Sequence, residues 1–213
     1  LQRLVLAELD GAVIETARRW LPEIHRGAFD DPRLEIRLGD ARPLIEAGTE
    51  RFDQIILDLT DPFGPATDLY TVEFYAACRR ALNPGGVLSL HLGSPIHRAG
   101  AMARIHASLT ANFAVVRPYL QYVPLYGALW CMAMASDTVD PLALTATEVE
   151  ARIAANALRD LQLYNGATHQ AMLAQPNFVR AIFQGDAAPI RRGEVLADVY
   201  DPARMPALQV REV

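Results

Sequence analysis

The stretch FDQIILDLTDPFGPA, from Phe52 to Ala66, decides how this chain is read. Its first half holds a short apolar run, Ile55, Ile56 and Leu57, with the length and β-branched character of a buried strand. Its second half sets Asp58 and Asp61 three residues apart, and then Pro62, Gly64 and Pro65 stop any regular structure. A strand this apolar is expected away from a sheet edge. Asp58 at its end is then expected to be buried, where a carboxylate without a partner is costly.

The pattern extends outward on both sides. Upstream, LQRLVLAELD reads as a mostly buried strand closing on Glu8 and Asp10. GAVIETARRWLPEI follows, with Val13, Ile14, Ala17, Trp20, Leu21 and Ile24 at helical spacing. LEIRLGDARPLI is a short strand closing on Gly39 and Asp40, then a short helical piece. Downstream, TVEFYAACRRAL is helical, NPGG is a stop, VLSLHL is a strand and AGAMARIHASLTANF is a helix. AVVRPYLQYV and GALWCMAMAS are two strands joined by a turn near Pro124 and Gly127, and the pattern is helical from there to about Gln184. Strands alternating with helices predict an α/β fold, a doubly wound and mostly parallel sheet with an antiparallel edge and C-terminal helices. On this reading residues 1–184 are one domain and 185–213 an extended or partly disordered tail.

Composition narrows the function. The chain has 213 residues, 51% hydrophobic and 21% charged, which suits a globular protein with one substantial core. A net charge of −5 provides no basic footprint for nucleic acid and no polybasic patch for a membrane surface. Cys78 and Cys131 are isolated, so neither a disulfide framework nor a zinc site is expected. His25, His97, His106 and His169 lack ligand spacing, so no metal is expected either. Without a signal pattern or an apolar run of about 20 residues, the expected location is cytoplasmic.

Three successive strands end in acids: Glu8 with Asp10, then Asp40, then Asp58 with Asp61. In an open parallel sheet all such ends face one edge, where ligands bind. In doubly wound nucleotide-binding sheets a first strand and glycine-rich turn come before the first acidic strand end, so the strand closing on Glu8 and Asp10 would be the second. An acid there can accept from both hydroxyls of a ribose, and Asp40 on the next strand end from the exocyclic amine of an adenine. Each acid also has a structural reading. Asp10 and Asp40 stand where helix N-caps would, and Asp61 before Pro62 resembles a cap followed by proline at the first helical position. Pattern alone leaves both readings open. His91 in LSLHLGS reads either as a packed strand histidine or as a ligand, and the pairs Tyr119/Tyr122 and Phe74/Tyr75 as core or half-buried positions.

Beyond spacing, DLTDPFGPATDLYTVEFY resembles the signature of the spermidine synthases, the polyamine aminopropyltransferases: D-x-x-D-P-x-G-P-A, a leucine–aromatic pair, and a helix ending in tyrosine. Four more blocks occur in family order. LAELDGAVIETARRWLP is similar to its E-x-D-x-x-V-I-E stretch, LEIRLGDA to its G-D-A strand, ALNPGGVL to its helix–stop–strand element, and LQLYNGATHQAMLAQPNFV to its late Y-N-x-x-x-H region. Together they cover roughly residues 4 to 183. The resemblance implies a Rossmann-like, methyltransferase-type domain that takes decarboxylated S-adenosylmethionine as co-substrate, without a metal. It matches Glu8, beside Asp10, to the ribose-binding acid and Asp40 with Ala41 to the adenine contact. Asp58 matches the general base, Asp61 the acceptor for the polyamine amine, and Pro65, Ala66 and Leu69 the segment beside adenine and thioether. Tyr126 aligns with a tyrosine near the substrate amine, and His91 stands where glutamine is frequent. A homo-oligomer, dimer or tetramer, is implied. The family's G-G-G-D-G turn and N-terminal β-domain would lie before Leu1.

The chemistry accounts for the paired acids. A diamine arrives with both nitrogens protonated, and an ammonium has no lone pair. A carboxylate beside the attacking nitrogen takes its proton, and the amine displaces a neutral thioether from the aminopropyl carbon. The leading expectation is aminopropyl transfer to a diamine such as putrescine, giving spermidine and methylthioadenosine. The alternatives are a methyltransferase using intact S-adenosylmethionine and a non-catalytic subunit, which fold alone does not separate.

Overall fold

Leu4–Glu8 (β1) and Leu34–Leu38 (β2) pair in parallel, from Leu4 opposite Leu34 to Glu8 opposite Leu38. They belong to the first of two units of the computed structural model, which describes residues 1–62 and 64–194. That unit spans Leu1–Glu50, and the second begins at Arg51. The crossover between the strands is helical, as parallel pairing requires. Gly11–Trp20 (α1) is capped by Asp10, and Pro22–His25 (α2) begins at a proline. The single helix expected from the spacing is therefore broken at Leu21, because Pro22 has no N–H to continue the ladder. Ala41–Glu46 (α3) follows β2, with Asp40 as its cap. Across β1 and β2, Arg3 and Arg37 both bridge Glu35 and Glu50, at 2.5–2.8 Å. β1 is not mostly buried, as the sequence predicts: Leu4 is 46% exposed and the rest half-buried. A two-stranded pair with short helices cannot cover both of its faces.

In the second unit the strand order is β3-β4-β6-β5. Phe52–Leu57 (β3) runs parallel to Leu82–Gly93 (β4), joined to it by a 3-10 segment, Gly64–Tyr70, and a helix, Val72–Ala81 (α4). Ala99–Thr110 (α5) leads to Val115–Val123 (β5) and Ala128–Ser136 (β6), which are antiparallel to each other and bring β6 antiparallel onto β4. So β1 with β2, and separately β3 with β4, pair in parallel, and β5–β6 form the expected antiparallel edge of the second sheet. Their turn is the 3-10 segment Pro124–Tyr126, closed by Gly127 at φ 57, where a residue without a side chain is favoured. The core lies between sheet and helices. Phe74, Tyr75 and Cys78 of α4 and Met102, Ile105 and Leu109 of α5 are buried with Leu88, Leu90, Ala133 and Ala135 of the sheet.

Two details differ from the sequence reading. NPGG follows the end of α4 at Ala81 as expected of a helix stop, but it lies inside β4 and not before it: β4 already begins at Leu82, opposite Phe52, and resumes at Val87, opposite Gln54, so Asn83–Gly86 bulge within it. Tyr122 is 60% exposed rather than half-buried, because β5 is an outer strand and its last residues reach the turn.

Ala146–Ala155 (α6), Gly166–Leu173 (α7) and Asn177–Gln184 (α8) complete the helices. From Gly185 to Glu194 the chain runs without helix or strand and is fastened to α4 and α5. Ile190 is fully buried, its N–H donates to Ser108 Oγ at 2.8 Å, and its carbonyl accepts from Val72 N at 2.9 Å. Arg104 donates to the Ala188 carbonyl and pairs with Glu194. The remainder of the predicted tail, 195–213, lies outside the described residues. Among those described, no helix is long and apolar enough to cross a membrane, and no cluster of three or more His, Cys, Asp or Glu could hold a metal ion.

Candidate active site

In the first unit, parallel pairing sets the carboxyl ends of β1 and β2 side by side: Glu8 is opposite Leu38, and Gly39 N donates to the Glu8 carbonyl at 2.8 Å. Glu8 and Asp40 thus stand on one edge. Glu8 Oε1 accepts from Asp10 N at 2.9 Å, which orients the carboxylate and leaves its second oxygen available to a hydroxyl. Asp10 takes the capping role, accepting from Ala12 N at 2.9 Å. Asp40 caps too, accepting from Arg42 N at 2.9 Å, and its other oxygen pairs with the Arg42 guanidinium at 2.6 Å. That guanidinium holds the Asp40 carboxyl below the usual aspartate range. Ala41, half-buried, starts α3 beside it.

In the second unit, Leu57 of β3 pairs with Leu90 of β4, so Asp58 and His91 each lie one residue beyond that rung. Asp58 is exposed, and β3 is the outer strand of its sheet, so the expectation of a buried carboxylate is corrected. Its charge keeps its hydration and needs no partner for stability. Asp61 is half-buried and does not begin a helix, because the helical segment starts only at Gly64 and the true cap of α4 is Thr71. Instead Asp61 faces Arg98, with Oδ2 3.7 Å from Nη2. Asp61, Pro62, Leu92, Arg98 and Ala101 close on a cavity of ≈ 10 Å³, room for about one water. Ala66 and Leu69 are half-buried on the 3-10 segment, whose backbone also includes Pro65.

Thr60 lies between the two aspartates, and its carbonyl accepts from the hydroxyl of Tyr70 at 2.8 Å. Tyr70 is fully buried and also meets His91 Nε2 at 2.9 Å. Burial first, then the negative charges of Asp61 and Asp58, push the Tyr70 phenol well above its ordinary range, so it stays protonated. His91 stacks on Trp130 (6.1 Å, 17°), two residues along β6 from its own partner Met132, and Trp130 packs on Tyr126 at 4.6 Å. Tyr126, 57% exposed, is the open end of this aromatic row. β4 bulges between His91 and Gly93, with Gly93 at φ 112, which re-aims the chain beside the site.

Asp58, Asp61 and His91 are thus brought together within the second unit, with Tyr126 joined to His91 through Trp130. Sequence reasoning missed Tyr70, Trp130 and Arg98 as parts of this site. Tyr70 had one signal, its place as the aromatic of the leucine–aromatic pair in the quoted motif. Arg98 carries no local signal. A roomier groove of ≈ 360 Å³ lies at the other end of β4, around Arg79, Asn83, Gly85 and Asp137, remote from the acidic strand ends.

Comparison with known proteins identifies the family. The family model described as "Spermine/spermidine synthase domain" matches residues 1–144. Over 203 residues the chain is 61% identical to the polyamine aminopropyltransferase of Nitrosomonas europaea, covering 95% of this chain and 62% of that protein. It is 41% identical over 183 residues to polyamine aminopropyltransferase 2 of Hyperthermus butylicus, covering 85% and 60%. Among solved structures, a spermidine synthase in complex with the transition-state analogue AdoDATO superposes with a TM-score of 0.78 at 33% identity, over 86% of this chain and 61% of that one. The chain therefore spans about six-tenths of the length of these relatives. With a family model matched over more than half its residues, and with that model's fold present, this chain belongs to the spermine/spermidine synthase family.

Proposed function

We propose that this chain serves aminopropyl transfer from decarboxylated S-adenosylmethionine to a diamine such as putrescine, giving spermidine and methylthioadenosine. The observation that carries the reading is the pair of carboxylates Asp58 and Asp61 following β3, on either side of Thr60, whose carbonyl is held by the buried Tyr70 hydroxyl. Asp61 pairs with an ammonium of the diamine and favours cations over neutral amines. Asp58, hydrated and unshared, accepts the proton that the attacking nitrogen must lose. The nitrogen lone pair then forms the new bond to the aminopropyl carbon, the carbon–sulfur bond breaks, and sulfur keeps the electron pair as a neutral thioether. Alignment supplies much of the acceleration, up to roughly 7–11 kcal/mol in well-oriented systems.

In the first unit, Glu8 has an oxygen available for ribose hydroxyls, and Asp40 with Ala41 takes the adenine edge, Asp10 orienting Glu8 through its backbone N–H. In the second unit, Pro65, Ala66 and Leu69 match the family segment assigned to adenine and thioether, and Tyr126 and His91 border the amine. The co-substrate contributes the sulfonium that activates its aminopropyl carbon. A homo-oligomeric, cytoplasmic enzyme goes with this reading.

The test is incubation of the chain with putrescine and either decarboxylated or intact S-adenosylmethionine, with nucleoside products separated chromatographically. Methylthioadenosine is the expected product. S-adenosylhomocysteine would make the protein a methyltransferase, and retained binding without either product a non-catalytic subunit.

A further inference from the structure

The Tyr70 hydroxyl has two neighbours and one hydrogen. The Thr60 carbonyl, 2.8 Å away, has no proton and only accepts, so the phenolic hydrogen points to it. The contact at 2.9 Å to His91 Nε2 must then run the other way, from imidazole N–H to phenol oxygen. Hydrogen-bond bookkeeping thus sets the tautomer: Nε2 carries the proton, and in the neutral ring Nδ1 keeps its lone pair.

We propose that His91 and Tyr70 are positioning residues for the Asp58–Asp61 turn, a donor chain of fixed polarity running from His91 Nε2–H to Tyr70 Oη and from Tyr70 O–H to the Thr60 carbonyl. Its functional consequence rests on the amine-binding reading of those two acids given above. The chain of donors begins on β4, where stacking on Trp130 holds the imidazole plane and pairing with Met132 holds its backbone. It ends on the Thr60 carbonyl, in the peptide group that joins Thr60 to Asp61. Between them Tyr70 is fully buried at the end of the 3-10 segment, with its ring edge-on to the imidazole at 84°. In the low-dielectric surroundings of a buried phenol, such a linked pair of bonds is stronger than two separate ones, and losing its middle member orphans both ends. Asp58 to Pro62 lie in neither helix nor strand, so a fastening from the neighbouring strand helps to set the separation of the two carboxylates. The role asked of position 91 is that of a donor, which a glutamine amide also fills and an aliphatic side chain does not.

The test uses the full 213-residue chain, labelled with nitrogen-15 at histidine and carbon-13 at backbone carbonyls, in wild type, Tyr70→Phe, His91→Gln and His91→Leu. In wild type His91 is expected to show a protonated Nε2 and an unprotonated Nδ1 at neutral pH. Tyr70→Phe is expected to shift the Thr60 carbonyl resonance and erase the tautomer preference. His91→Gln should leave Thr60 near its wild-type position, and His91→Leu should move it as Tyr70→Phe does. Putrescine titration should follow the same order, with affinity roughly tenfold weaker for Tyr70→Phe and His91→Leu and within about threefold of wild type for His91→Gln. A protonated Nδ1 in wild type, or a Thr60 carbonyl indifferent to Tyr70→Phe, overturns the proposal. Should His91→Leu not fold, Tyr70→Phe against His91→Gln decides. If wild type binds no putrescine while His91 and Thr60 behave as described, the donor chain stands and the aminopropyl reading falls.

Discussion

The Tyr70 phenol lies 2.9 Å from His91 Nε2, with the two ring planes nearly perpendicular. Twenty-one residues separate the two in sequence, and the contact joins the loop after β3 to the end of β4. Through Tyr70 the same strand end also reaches Thr60, so the segment carrying Asp58 and Asp61 is tied to the sheet from the side as well as through its own backbone.

Asp58→Asn keeps the shape of the side chain and removes its capacity to take a proton. Aminopropyl transfer to putrescine, followed as methylthioadenosine release, is expected to fall by about 10²–10⁴-fold with nucleoside binding unchanged. Because Asp58 is exposed, stability should hardly move. An Asp58→Asn protein as active as wild type would falsify the assignment of Asp58 as base.

Arg98 stands 3.7 Å from Asp61, so a guanidinium already answers the carboxylate that an incoming ammonium needs. Arg98→Met removes that competitor while keeping much of the apolar stem. The expected result is a KM for putrescine several-fold lower, most evident at low salt, where charge interactions are least screened. A higher KM would mean that Arg98 supports the site instead of competing in it.

Tyr75 is fully buried on α4, and its hydroxyl has no hydrogen-bond partner among the described residues. Burial pushes the phenol far above its ordinary range, so the group is neutral, but its lost hydration is unreturned. An unsatisfied buried polar group costs about 1–3 kcal/mol. Tyr75→Phe is therefore expected to raise Tm or leave it unchanged, read by thermal unfolding under circular dichroism. A clear loss of stability would show that the hydroxyl is bonded after all.

Arg117 donates twice to Asp140, at 2.9 and 2.6 Å, and the Leu142 N–H adds a third bond at 3.0 Å. The Arg117 bond foremost holds the Asp140 carboxyl below its ordinary value of 3.8. A depressed folded-state value means that the ionised form favours the fold. That stabilisation is complete above the ordinary value and is lost as the pH falls below it, toward the folded-state value. Asp140→Asn should lower stability at pH 7 and flatten its decline in that acid range, as urea unfolding at stepped pH would reveal. Parallel wild-type and variant curves would remove Asp140 from the account.

Much of this protein was legible before any coordinates. The succession of strands and helices, the antiparallel edge, and the acids at strand ends follow from local periodicity and turn residues, which act over a few neighbours along the chain. The five ordered motif blocks sufficed to place the family. What remained open locally depended on contacts through space. Asp40 reads locally as a cap or as a ligand-binding acid, and only the structure shows its carboxylate both capping α3 and paired with the Arg42 side chain. Asp58 read as buried because Ile55, Ile56 and Leu57 are apolar, and only the strand order made β3 an outer strand and its final acid exposed. Tyr70 and His91, and Asp61 and Arg98, meet because parallel register and two bulges in β4 bring their segments to one end of a sheet. The sequence by itself determined which elements form and which chemistry they carry, since backbone preference and hydrophobic period are properties of short segments. Which side chains face one another, and in which direction their protons point, was decided by tertiary pairing, where a shift of one residue would turn every side chain to the opposite face.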